Sequence, residues 1–83
     1  MKEYVVTFRS VTFAQRGQLV LQNAGISATL GRTPKFLEER GCGYCLHIRS
    51  GFQGAVQALR MGGVSFGRVY LHRPGDSWEE MEL

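Results

Sequence analysis

The chain has 83 residues, a formal net charge of +3, two cysteines and 43% hydrophobic residues. That length allows one small two-layer core and excludes a second domain or a large buried cleft. No apolar run reaches the roughly 20 residues that cross a bilayer, and two cysteines cannot form the disulfide framework of a small secreted domain. The opening MKEYVVTFRS has no signal-peptide pattern, so a cytoplasmic location is expected.

Charge is unevenly placed. Asp76, Glu79, Glu80 and Glu82 crowd the C-terminal end, leaving residues 1–73 with ten bases against three acids, a balance of +7. The bases are scattered rather than run together, which favours a solvated basic surface over a nucleic-acid track.

In chain order, EYVVTF is rich in β-branched and aromatic residues and predicts a first strand. Ser10 can cap a helix in which Phe13, Ala14, Gly17, Val20, Leu21 and Ala24 recur at helical spacing until Gly25 stops it. Gly17 inside that helix costs about 1 kcal/mol relative to Ala and marks either close packing or simple tolerance. ISATLG predicts a second strand. Thr33-Pro34 then reads as a cap and first helical residue, predicting a short helical segment over 34–40. YCLHIR alternates Tyr44, Leu46 and Ile48 against Cys45, His47 and Arg49, the pattern of a strand with one buried face. Phe52, Ala55, Val56 and Leu59 predict a second helix ended by Gly62 and Gly63, and VSFGRVYLH a fourth strand. The domain is expected over 1–73. The acidic tail, 74–83, offers Ser77 and Glu80 as a capping box for a short helix, with Trp78 free to dock on the body.

The resulting order predicts an α+β fold: a ferredoxin-like βαββαβ unit, a four-stranded antiparallel sheet in the order 4-1-3-2 with both helices on one face. In that topology the third strand starts at the edge where the first helix begins. Cys42 should then lie near Ser10, Val11 and Thr12.

Four chemistries compete for GCGYC. Cys42, Cys45 and His47 give three zinc ligands, but the fourth is missing because His72 is expected two strands away, so no metal is expected. A thioredoxin-type dithiol would sit at the start of its own helix, whereas this pair enters a strand. RGCGYCLH overlaps an RNA-recognition motif at Arg40, Gly41, Gly43 and Tyr44, yet Cys42 and His47 stand where that motif has aromatic residues, so nucleic acid is disfavoured. The fourth chemistry is a nucleophilic or carrier thiol on Cys42. A helix N-terminus and Arg9, Arg32 and Arg40 would favour its thiolate, and Gly41 and Gly43 leave the sulfur open. A helix ending at 40 would oppose it, and burial of both cysteines as small hydrophobes remains the plain alternative.

YVVTFRSVTFA, GRTP and CGYCL together resemble the selenium/sulfur carrier-like family of small bacterial proteins, over about Tyr4 to Tyr70. That resemblance implies a cytoplasmic carrier, rather than a true enzyme, that needs no cofactor. Cys42, which matches the family's C-G dipeptide, would hold a persulfide or perselenide passed between a donor and an acceptor protein. The amides at Ser10, Val11 and Thr12 with Arg32, Gly41 and Gly43 would shape the site, and Cys45 would be an accessory or resolving thiol. His47 departs from the family pattern, where arginine is common. Gly17 and the acidic tail depart from it too. The competing expectation is a non-enzymatic module that binds RNA or protein, or a second copy of itself, through the open sheet face.

Overall fold

The structure is a computed structural model and describes residues 3–34, 43–75 and 77–81. Its elements run β1 (Glu3–Thr7), α1 (Val11–Asn23), β2 (Thr29–Arg32), β3 (Tyr44–Ile48), α2 (Phe52–Met61), β4 (Val69–Arg73) and β5 (Ser77–Met81). The fold is α+β: among the described residues, a five-stranded antiparallel sheet in the order β2-β3-β1-β4-β5, with two helices.

Alternation along the strands divides the sheet into two faces. Val6 and Phe8 from the β1 segment, Leu46 and Ile48 from β3 and Val69 from β4 pack with Ala14 and Leu21 of α1 and Ala55 and Leu59 of α2 in one buried cluster. On the other face lie Glu3, Val5 and Thr7, beside Cys45 and His47 and, across β1, Tyr70 and His72.

α1 begins at Ser10, which sits in an extended conformation and accepts a 3.3 Å hydrogen bond from the Phe13 N–H, satisfying one of the free donors of the first turn. Gly17 is a close-packing position. A Cβ there would stand 3.0 Å from the Phe8 ring and 3.3 Å from Leu46 Cδ1, so its missing side chain lets α1 settle onto the sheet.

Three expectations need correction. The tail from Ser77 to Met81 is a fifth strand and not a helix, so the sheet has five strands where four were expected. Without it the edge of β4 would leave a row of unpaired backbone groups. Arg73 holds Glu79 at 2.6 Å and Arg68 holds Glu80 at 3.7 Å, so Glu80, which with Ser77 suggested a helix cap, pairs with a base beside β5 instead. β4 starts at Val69, later than the expected VSFGRVYLH. Before it, the Gly67 N–H donates to the Thr7 carbonyl at 2.7 Å and the Arg68 N–H to Thr7 Oγ1 at 2.9 Å, and that side-chain bond interrupts a plain ladder. β2 is confined to Thr29–Arg32, while Ile26 and Ala28 pack against the core from the connection. The helical segment expected over 34–40 falls on residues outside the described ones, apart from Pro34.

Candidate thiol site

Thr7 pairs with Cys45 and Val6 with Leu46, so β3 begins at the end of the sheet from which the chain leaves for α1. Ser10, Val11 and Thr12 form that start of α1. Gly43, the last described residue before β3, is buried with φ +81°, a conformation that glycine adopts without steric cost. Its carbonyl accepts the Thr33 N–H at 2.8 Å, extending the β2–β3 ladder by one step. Arg32 is held nearby: its guanidinium lies 5.1 Å from the centre of the Tyr44 ring and donates to the Tyr44 hydroxyl at 3.1 Å. Arg40, Gly41 and Cys42 lie outside the described residues.

Cys45 occupies a different place from the one its alternation suggested. It does face away from the helices, but it is fully buried, packed with Val5 and Tyr70 beneath Trp78. β5 supplies that cover. Trp78 stands opposite His72 across the β4–β5 pair and stacks on its ring, with centroids 3.9 Å apart.

Cys45 is a free thiol inside a chain of polar contacts. Its Sγ donates to the Arg32 carbonyl at 3.6 Å and lies 3.4 Å from His47 Nε2. The other ring nitrogen, His47 Nδ1, is 2.9 Å from Glu3 Oε1. Glu3 also has Arg49 Nε at 3.8 Å and His72 Nδ1 at 3.9 Å. His47 therefore stands between a sulfur and a carboxylate. The hydrogen bond to Cys45, with a further one to Glu3, raises its pKa from 6.5 to about 9 against the opposing effect of burial, so the ring is protonated at neutral pH.

Gly31 makes this arrangement possible. It faces Cys45 across the β2–β3 pair, and a Cβ on it would come within 2.9 Å of His47 Nε2. The imidazole fills the space that a side chain would occupy. On its outer side lies an open hollow of about 450 Å³ lined by Glu3, Ser27, Thr29, His47, Arg49 and Ser50. Among the described residues, no group of three His, Cys, Asp or Glu side chains is arranged to hold a metal ion, and no helix is long and apolar enough to cross a membrane.

A family model described as "Putative Se/S carrier protein-like" matches residues 3–70. The chain belongs to that family. The match runs from the start of β1 into β4 and includes both cysteines, so the Se/S carrier-like unit is the sheet up to β4 with its two helices. β5, which covers Cys45 through Trp78, lies beyond it. No curated protein and no solved structure matches the chain.

Sequence reasoning named Cys45 but assigned no role to Glu3 and Gly31, and read His47 as a rejected metal ligand, a mismatch to an RNA-recognition motif and a departure from the family. The signal was present in part. Period-two alternation puts Cys45 and His47 on one face, and antiparallel pairing of the first and third strands brings Glu3 beside them.

Proposed function

We propose that this protein carries sulfur or selenium as a persulfide or perselenide on Cys42, within a ferredoxin-like βαββαβ frame extended by β5. Family membership over residues 3–70 is the observation on which this reading rests. The Thr7–Cys45 pairing supports it, because the chain enters β3 at the edge where α1 starts. Amide donors at Ser10, Val11 and Thr12, with the Arg32 cation, are then the groups suited to an anionic sulfur there. Gly41 and Gly43 leave room around it.

In the transfer step the Cys42 thiolate attacks the outer sulfur of a donor protein's persulfide. A new S–S bond forms on Cys42, the donor's S–S bond breaks, and the donor thiolate leaves and takes up a proton. Delivery to an acceptor thiol repeats the exchange in the other direction, with no net oxidation. The partners are thus a cytoplasmic sulfur or selenium donor protein and an acceptor, and the protein acts as a carrier between them.

The test is intact-mass analysis after incubation with a cysteine desulfurase and cysteine. Wild type should gain about 32 Da, the mass of one sulfur, and fragmentation should assign it to Cys42. An adduct that is absent, or that falls only on Cys45, overturns the reading.

A further inference from the structure

We infer that Cys45, His47 and Glu3 form a second thiol centre, independent of Cys42, that accepts sulfane sulfur from a small carboxylate-bearing persulfide entering the hollow beside Arg49. The three side chains have the relations of a nucleophile, the imidazolium that holds its thiolate and the carboxylate that orients the ring. Sγ lies 3.4 Å from Nε2, and Nδ1 lies 2.9 Å from the carboxylate. A thiol buried by packing alone needs no polar neighbour. This one faces an imidazole backed by an acid, and the register that brings them together spans 44 residues of sequence between Glu3 and His47.

The surroundings supply a route and a specificity. Cys45 is fully buried at rest, and the His47 ring both touches its sulfur and lines the hollow. Gly31 has no side chain, and the ring takes the space that its Cβ would occupy. A swing of that ring about its side-chain bonds, a fast motion for a partly exposed residue, opens the sulfur to the hollow. There Arg49, 78% exposed, presents a guanidinium suited to a carboxylate, with the hydroxyls of Ser27, Thr29 and Ser50 around it. Among the described residues, the charged and titratable groups facing His47 are Glu3 from β1, Cys45 from β3, Arg49 just after β3 and, through Glu3, His72 from β4. β2 contributes Thr29 and Gly31, which do not titrate.

The step balances within the centre and its substrate. In the reacting form Sγ is a thiolate whose proton has passed to water, and the His47 imidazolium donates to it through Nε2–H and to Glu3 through Nδ1–H. The thiolate attacks the outer sulfur of R–S–SH, an Sγ–S bond forms, and the S–S bond of the donor breaks. The departing RS⁻ receives the proton that His47 carries outward, leaving RSH and a Cys45 persulfide. Gly31 and Glu3 are positioning residues and Cys45 the nucleophile.

The experiment uses the Cys42→Ser protein and cysteine persulfide as the probe, with the adduct followed by intact mass over time and pH. A gain of about 32 Da is expected on the folded protein, saturating with probe concentration. His47→Gln should slow it about a hundredfold, within the range of lost general acid–base assistance. Gly31→Ala, which keeps all three groups but crowds the ring, should slow it as well, and Glu3→Gln should shift the pH profile. Arg49→Gln should raise the probe concentration needed for half-saturation with little change in the limiting rate. Circular dichroism confirms that each variant is folded. Equal rates in the Cys42→Ser protein and its His47→Gln derivative, or an adduct that forms only at the rate of global unfolding, would overturn the inference. Either result leaves the Cys42 reading, tested with a protein donor on wild type, standing or falling on its own.

Discussion

Gly17→Ala tests the fit of α1 against the sheet. In an exposed helix this change stabilises by about 1 kcal/mol, because glycine is the poorer helix former. Here the new methyl would meet the Phe8 ring at 3.0 and 3.2 Å and Leu46 Cδ1 at 3.3 Å. Both neighbours are fully buried, so neither can move into solvent. Overpacking of that kind costs about 1–3 kcal/mol. The balance is a net loss of about 1 kcal/mol, which for a domain of this size lowers Tm by roughly 4–8 °C. Urea denaturation followed by circular dichroism measures it, and Gly17→Ala combined with Phe8→Leu should recover part of the loss by making room. A single variant more stable than wild type would show that α1 does not press on Phe8, and the account of how α1 is seated would fail.

Two further outcomes follow from the open face. His47 has its pKa raised to about 9, so its contribution is fully present below pH 6.5 and is lost as pH rises through 9. Wild type should lose about 2 kcal/mol of stability relative to His47→Gln across that window, since each tenfold gain in proton affinity is worth about 1.4 kcal/mol and the ring's partial exposure lowers the sum. A flat difference in urea midpoints from pH 6 to 10 would refute it. Truncation after Gly75 removes β5 and Trp78, uncovering Tyr70 and Cys45. Modification of Cys45 by a neutral alkylating reagent in a Cys42→Ser protein should then accelerate at least tenfold, as expected for a thiol brought from burial to exposure. An unchanged rate would mean that β5 does not shield the thiol.

Much of the frame was legible because it depends on local pattern. The Ser10 cap and the spacing of Ala14, Gly17 and Leu21 define α1, and Tyr44, Leu46 and Ile48 define the helix-facing side of β3. β5 was not legible. Glu79 and Glu80 are poor strand formers and Ser77 with Glu80 fits a capping box, whereas pairing with the edge of β4, beside Arg68 and Arg73 and with Trp78 stacked on His72, makes the strand favourable. Burial of Cys45 was one of the alternatives, but its cause was not legible for the same reason, since Trp78 covers it from β5. The contact of Glu3 with His47 depends on strand register, which alternation within one strand does not specify.

The 2.8 Å bond from the Thr33 N–H to the Gly43 carbonyl has an evolutionary consequence. It places Thr33 and Gly43, which lie on either side of Cys42 in sequence, on one rung of the sheet. Joining two ends fixed in this way costs only about 0.6 kcal/mol more for each doubling of the length between them. Insertions there need not disturb the strand register that aligns Cys45, His47 and Glu3. Selection can thus remodel the first thiol's surroundings for a new partner while the second thiol's geometry is inherited unchanged.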